Sequence, residues 1–145
     1  YMCYICCKSH SMLDAKDLRI GNLILVHNHY VATIERIGKD IGVKTYGEKI
    51  SQIDYIELQY LTPIELTDEW LLRFGFERHE LDNWFYLKII NDWTRLNINI
   101  NGSVCELSIS NHGAVINVTY VHQLQNLYFA LTGQELTLKQ PSIPQ

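Results

Sequence analysis

Cys3, Cys6, Cys7 and His10 form a C-x-x-C-C-x-x-H cluster. Thiolates and imidazole are the ligands zinc prefers, so this spacing could surround a metal ion. A structural zinc site usually draws a second ligand pair from a distant knuckle, and the sequence offers none; an extension with free thiols is the competing expectation. His27 and His29 flank Asn28, and two imidazoles at i, i+2 on a strand share one side and could share a metal. A third ligand is not visible nearby, so exposed turn histidines are the plainer reading, and no cofactor is expected. Trp84, Tyr86 and Trp93 stand near Lys88 and Arg95. Aromatic rings interleaved with cations make a binding platform for a base, a peptide or a protein partner, because flat apolar faces beside charge stack and hydrogen-bond together. The alternative is that this face packs on the N-terminal β region and Phe76.

Nucleophile and phosphate motifs are missing: there is no G-x-S-x-G elbow, no G-x-x-x-x-G-K-[ST] loop, no G-x-G-x-x-G turn and no H-E-x-x-H helix. Asp68 and Glu69 are adjacent on a predicted helix, where side chains diverge by about 100°, so they suit its dipole better than paired carboxylate chemistry. Asp82 and Asp92 fall in turns. His122 is expected to help cap a helix, His79 and His112 to lie in loops, and Cys105 to be a small buried hydrophobe. The chain therefore reads as non-catalytic.

At 145 residues, 47% hydrophobic and 19% charged, the chain can bury a substantial core. The net charge is −4 and the 12 Lys and Arg are scattered, which disfavours duplex nucleic acid as a partner. No apolar run reaches the ~18 residues of a membrane span. The N-terminus lacks the pattern of a secretory signal, and four cysteines without one suit a reducing compartment, so a cytoplasmic setting is expected.

These patterns predict an α+β fold. Residues 1–17 form a lead-in, with a helical turn at Asp14–Arg19 broken by Ile20-Gly21-Asn22. Residues 18–66 read as a small SH3-like β-barrel or bent sheet: Leu23–Val26, a turn at His27-Asn28-His29, then Val31–Ile37, Ile41–Tyr46, Lys49–Ile53 and Ile56–Tyr60. Residues 67–138 begin with a short linking helix. Thr67 is its N-cap, Gly75 ends it, and Phe76 folds back on Leu71 in a Schellman arrangement. A four-stranded antiparallel meander follows. A two-residue turn at Asn101-Gly102 sets Ile98 across from Cys105 and Leu96 across from Leu107, and one at Asn91-Asp92 sets Leu87 across from Leu96 and Phe85 across from Ile98. A looser turn at His112-Gly113 adds Val115–Val118. A C-terminal helix between Thr119 as N-cap and Gly133 as C′ residue covers that face with Val121, Leu124, Leu127, Tyr128 and Leu131. Glu135–Leu138 is expected as a short edge strand and residues 139–145 as a tail.

Leu18-Arg19-Ile20-Gly21-Asn22, the run from Leu61 to Phe76 and the run from Tyr120 to Leu136 resemble, in order and spacing, the blocks of a family of short uncharacterised proteins. That family is encoded by phages, prophages and mobile elements of Bacteroides-type gut bacteria. The resemblance implies a mobile-element origin and a bacterial host cytoplasm, and it assigns no catalytic residue. Residues 1–11 fall outside it, which makes Met12 a candidate first residue. The function expected is a binding or adaptor protein acting through protein–protein contacts, by the N-terminal barrel or by the Trp84, Tyr86, Lys88, Trp93 and Arg95 face. The alternatives are a small-molecule, nucleotide-type binder that counters a host defence signal, with a site formed across a homo-oligomer interface, and a hydrolase or nuclease.

Overall fold

The computed structural model describes residues 13–45, 53–80, 82–91, 94–101, 104–109 and 112–139. The Cys3, Cys6, Cys7 and His10 cluster, the expected strand residues 49–52, Asp92 and Trp93 lie outside the described residues. The chain divides into two compact units, Tyr1–Pro63 and Ile64–Gln145.

In the first unit Asp14 caps a single 3-10 turn, Ala15–Asp17, by accepting the Lys16 amide at 3.0 Å. Asn22 then enters the sheet fully buried, which requires its polar groups to be met. Its Oδ1 accepts the Arg19 amide at 2.7 Å and its carbonyl accepts the Ile34 amide at 2.9 Å. Five antiparallel strands follow, β1 (Leu23–Val26), β2 (Tyr30–Arg36), β3 (Ile41–Thr45), β4 (Asp54–Ile56) and β5 (Leu61–Thr62), in the order β4-β3-β2-β1-β5. The sheet is curled. Strand alternation gathers Ile24, Val26, Ala32, Ile34, Ile41 and Val43 with Leu18 and Leu61 into one core cluster. The expected strand Ile56–Tyr60 is replaced by a 3-10 turn, Leu58–Tyr60, closed by the Tyr60 amide on the Glu57 carbonyl at 3.0 Å. The reason is topological. β4 and β5 occupy opposite edges of the same sheet, so the chain must leave one edge before it can join the other.

In the second unit α1 spans Asp68–Arg73 and ends as the sequence predicts. Gly75 takes φ +80°, its amide donates to the Leu72 carbonyl and the Phe76 amide donates to the Leu71 carbonyl, both at 2.9 Å. This is the Schellman closure, and it buries Leu71 and Phe76. The remaining carbonyls of the last turn are met from far along the chain: the Lys139 amide donates to Arg73 at 2.7 Å and the Lys88 ammonium to Phe74 at 2.9 Å.

The sheet of this unit contains β6 (Glu77–His79), β7 (Asp82–Ile89), β8 (Arg95–Asn101), β9 (Val104–Ile109) and β10 (His112–Asn117), in the order β10-β9-β8-β7-β6. His79 and His112 thus lie in strands rather than loops, and His79 sets its ring edge-on to Phe85. Both predicted registers move. Between β8 and β9, Asn101 pairs Val104, Ile98 pairs Leu107 and Leu96 pairs Ile109. That is a shift of two residues along the partner, which the side-chain period of two absorbs, and apolar residues still oppose apolar residues. Between β7 and β8 the shift is one. Tyr86 pairs Ile98, Lys88 pairs Leu96 and Ile89 pairs Arg95, because the connection carries an odd number of residues where a two-residue turn was expected. The Ile90 amide reaches the Thr94 carbonyl and Asn91 Oδ1 accepts the Thr94 amide at 2.8 Å. A one-residue slip exchanges the faces of a strand. Tyr86, 1% exposed, therefore joins Leu96 and Ile98 in the core, and Phe85 and Leu87 go to the other side.

α2 spans Val121–Thr132 and closes at Gly133, φ +70°, whose amide donates to Phe129 at 2.7 Å. Its N-cap is Tyr120 rather than Thr119. Gln123 Oε1 reaches back to accept the amides of Thr119 and Tyr120 at 2.9 and 3.1 Å, which removes the need for a histidine cap. His122 is instead buried, its ring stacked on Tyr120. Val121 and Leu124 are buried, Leu127 and Tyr128 half-buried and Leu131 exposed, so burial fades along the helix. Glu135–Leu138 has no strand pairing; Leu136 is buried and the segment runs to the Lys139 bond on α1.

Tyr86→Ala is expected to lower the unfolding free energy by about 3–5 kcal/mol, as for other large core aromatics, measured by urea denaturation. A change within about 0.5 kcal/mol, typical of an open surface position, would reject the β7-β8 register.

Candidate functional site

The register separates the residues that the sequence grouped as one platform. Tyr86 and Lys88 lie on the covered face of their sheet, while Arg95 is exposed beside Ile89 on the opposite face. Trp84 has a described place in β7 only, and Trp93 lies outside the described residues. The Tyr86 hydroxyl accepts from Arg78 Nε at 3.2 Å, and the Arg78 guanidinium continues to Asp68 at 3.3 Å. This chain ties the strands to the start of α1. Tyr86 is thereby a buried, hydrogen-bonded core residue.

Lys88 is half-buried, with its ammonium 5.6 Å from the Phe76 ring centroid and 6.0 Å from that of Tyr128. Cation–π attraction and the Phe74 carbonyl together explain how a cation is tolerated there. Partial burial still pushes its pKa below the ordinary lysine value of 10.5, and the Lys139 charge pushes in the same direction, with Glu77 opposing. Lys139 approaches because residue 75 has no side chain. A Cβ on Gly75 would stand 2.6 Å from Lys139 Cε and 3.3 Å from Lys88 Nζ.

A second surface lies in the first unit, at the β1–β2 turn. His27 and Asn28 have φ of +50° and +60°, and the His29 amide donates to the Val26 carbonyl at 3.1 Å. These are the features of a type I′ turn, which glycine usually supplies. The alternation expected for His27 and His29 on a strand does not apply inside it. The His27 ring meets Tyr60, centroids 5.2 Å apart, and the His29 ring meets Tyr30 at 6.4 Å. Two bonds fix the turn against the β5 edge: the His27 amide donates to the Tyr60 carbonyl at 2.9 Å, and the Thr62 hydroxyl to Asn28 Oδ1 at 2.7 Å. His27, Asn28, His29, Tyr30 and Tyr60 are all exposed, Tyr30 by 59% and Tyr60 by 46%. The sequence marks the turn and its two histidines; it does not mark the tyrosines, which reach the turn through strand pairing and through the unexpected 3-10 turn at Leu58–Tyr60.

Among the described residues no three His, Cys, Asp or Glu side chains stand close enough to hold a metal ion, and no helix is long and apolar enough to cross a membrane. Compared with protein-family models, curated proteins and solved structures, the chain matches none.

A lysine held below its ordinary value binds its proton less tightly folded than unfolded. Stability therefore rises with pH through the folded value of Lys88 and the gain is complete above 10.5. Lys139→Met is expected to move Lys88 back toward 10.5 and flatten this alkaline rise, read from urea unfolding at a series of pH values. Identical slopes in the two proteins would exclude the lysine pair as its source.

Proposed function

We propose that this chain is a non-catalytic binding or adaptor protein of a phage or mobile element, acting through protein–protein contacts in the cytoplasm of a bacterial host. The origin and setting rest on the resemblance of its sequence blocks. The contact proposed is the N-terminal curled sheet, working as an SH3-like module, at the His27–Tyr30 turn and Tyr60. One observation carries this reading: exposed aromatic side chains surround a left-handed turn that is bonded in place to Tyr60 and Thr62. Tyrosine provides a large contact area with few rotatable bonds and a polar tip, and it is enriched among residues that dominate binding energy. Imidazole, amide and hydroxyl groups add directional hydrogen bonds without a fixed strong charge, which suits a polar protein surface better than a polyanion.

The test is affinity capture of a host or phage protein by the intact chain, with Tyr30→Ala/Tyr60→Ala as the comparison. Each hot-spot truncation is expected to weaken the captured complex by about 2 kcal/mol, roughly thirtyfold, with the melting temperature of the free protein little changed. Undiminished capture by the double variant would remove this surface from consideration. Failure of the wild type to retain any protein would count against the adaptor reading itself.

A further inference from the structure

We infer that the aromatic surface at the β1–β2 turn takes the proline segment of a second copy of this chain, Gln140-Pro141-Ser142-Ile143-Pro144-Gln145, in polyproline form. The inference rests on the reading of this turn as a contact surface, and it names an occupant that competes there with the protein partner. Residues 140–145 follow Lys139, whose amide is bonded to the Arg73 carbonyl at 2.7 Å, and they lie outside the described residues. They hold two of the three prolines of the sequence, in its one P-x-x-P spacing.

Spacing supports this match. Val26 pairs with Tyr30 on one side and with Leu61, the residue after Tyr60, on the other. Adjacent strands lie about 4.8 Å apart, so the backbone at Tyr30 stands about 9.6 Å from that at Leu61. A polyproline II helix repeats every three residues, about 9.3 Å, which is the separation of Pro141 and Pro144 along it. One proline can therefore meet each exposed tyrosine. A polyproline backbone makes no internal hydrogen bonds, so its carbonyls need outside donors, and the Tyr30 and Tyr60 hydroxyls supply them while the rings lie against pyrrolidine. Proline fixes φ in the free segment as in the bound one, which lowers the ordering cost of docking. Charge agrees as well. His27, Asn28, His29, Tyr30, Tyr60 and residues 140–145 include no Lys, Arg, Asp or Glu, so the contact strips water from no fixed charge. Each copy carries one segment and one turn, so two copies exchange segments and both contacts close one symmetric pair.

The test is the amide NMR spectrum of the full chain over a dilution series, with Pro141→Ala/Pro144→Ala as the comparison. On dilution the wild-type amides of His27, Asn28, His29, Tyr30 and Tyr60 are expected to move toward their positions in the double variant, which should itself not respond. A synthetic peptide of residues 140–145 added to the double variant should return them saturably to the concentrated wild-type positions. The same peptide with both prolines replaced by alanine should bind about tenfold more weakly. No host or phage protein enters these measurements, so their failure is distinct from failure of the capture experiment. Spectra of the two proteins that differ at the turn without responding to dilution would assign the contact to the chain's own segment and overturn the exchange between copies. A turn unmoved by both dilution and peptide would overturn the inference outright.

Discussion

The carbonyl end of α1 is the point on which the second unit depends. A short helix exposes nearly as many unbonded carbonyls as it has residues, so its last turn is stable only if other groups meet them. Phe76 and Gly75 answer Leu71 and Leu72 from the next residues in sequence, while Lys139 and Lys88 answer Arg73 and Phe74 from the end of the chain and from a sheet strand. The helix, the sheet and the closing segment are therefore bonded at one place. Moving any of them would strand a carbonyl beside the buried Phe74 and Phe76, where an unmet acceptor is costly.

This arrangement gives Lys88 a structural meaning that its neighbours in sequence hide. A lysine in a strand ordinarily marks a solvent face, which is how the run Trp84-Phe85-Tyr86-Leu87-Lys88 reads before the fold is known. With Tyr86 and Lys88 facing inward, the inward row of β7 becomes a tyrosine and a lysine, both polar at the tip, both with a partner waiting: Arg78 for the hydroxyl, Phe74 for the ammonium. Amphipathic side chains bury their stems and satisfy their ends. Polarity pattern alone pointed to the wrong face, because Phe85 and Leu87 look like the better core pair.

The two hairpin registers show what local sequence can and cannot specify. Between β8 and β9 the shift was even, which left the oily rows aligned. At Asn91 a two-residue turn was expected, and one extra residue in the connection exchanged the faces. Helix ends were legible: Thr67, Gly75 and Gly133 stand at or next to the boundaries where capping chemistry puts them. The bonds from Lys139 to α1 and from Thr62 to Asn28 were not legible, since both join residues far apart in sequence and neither belongs to a local motif. The same holds for the tyrosines that gather at the β1–β2 turn.

That turn is where local preference and observed structure disagree most. Asn-Gly or Gly-Gly would adopt two consecutive left-handed residues with little strain, yet the chain places histidine and asparagine there. Asparagine tolerates the conformation and histidine less well, and the geometry persists because the His27 amide and the Asn28 side chain are bonded to Tyr60 and Thr62. Such a conformation persists only where the surrounding structure over-determines it. A glycine turn would fold more easily and would display nothing. The imidazoles against Tyr60 and Tyr30 thus sit on a backbone whose shape is set by bonds from outside the turn rather than by the preferences of its own residues.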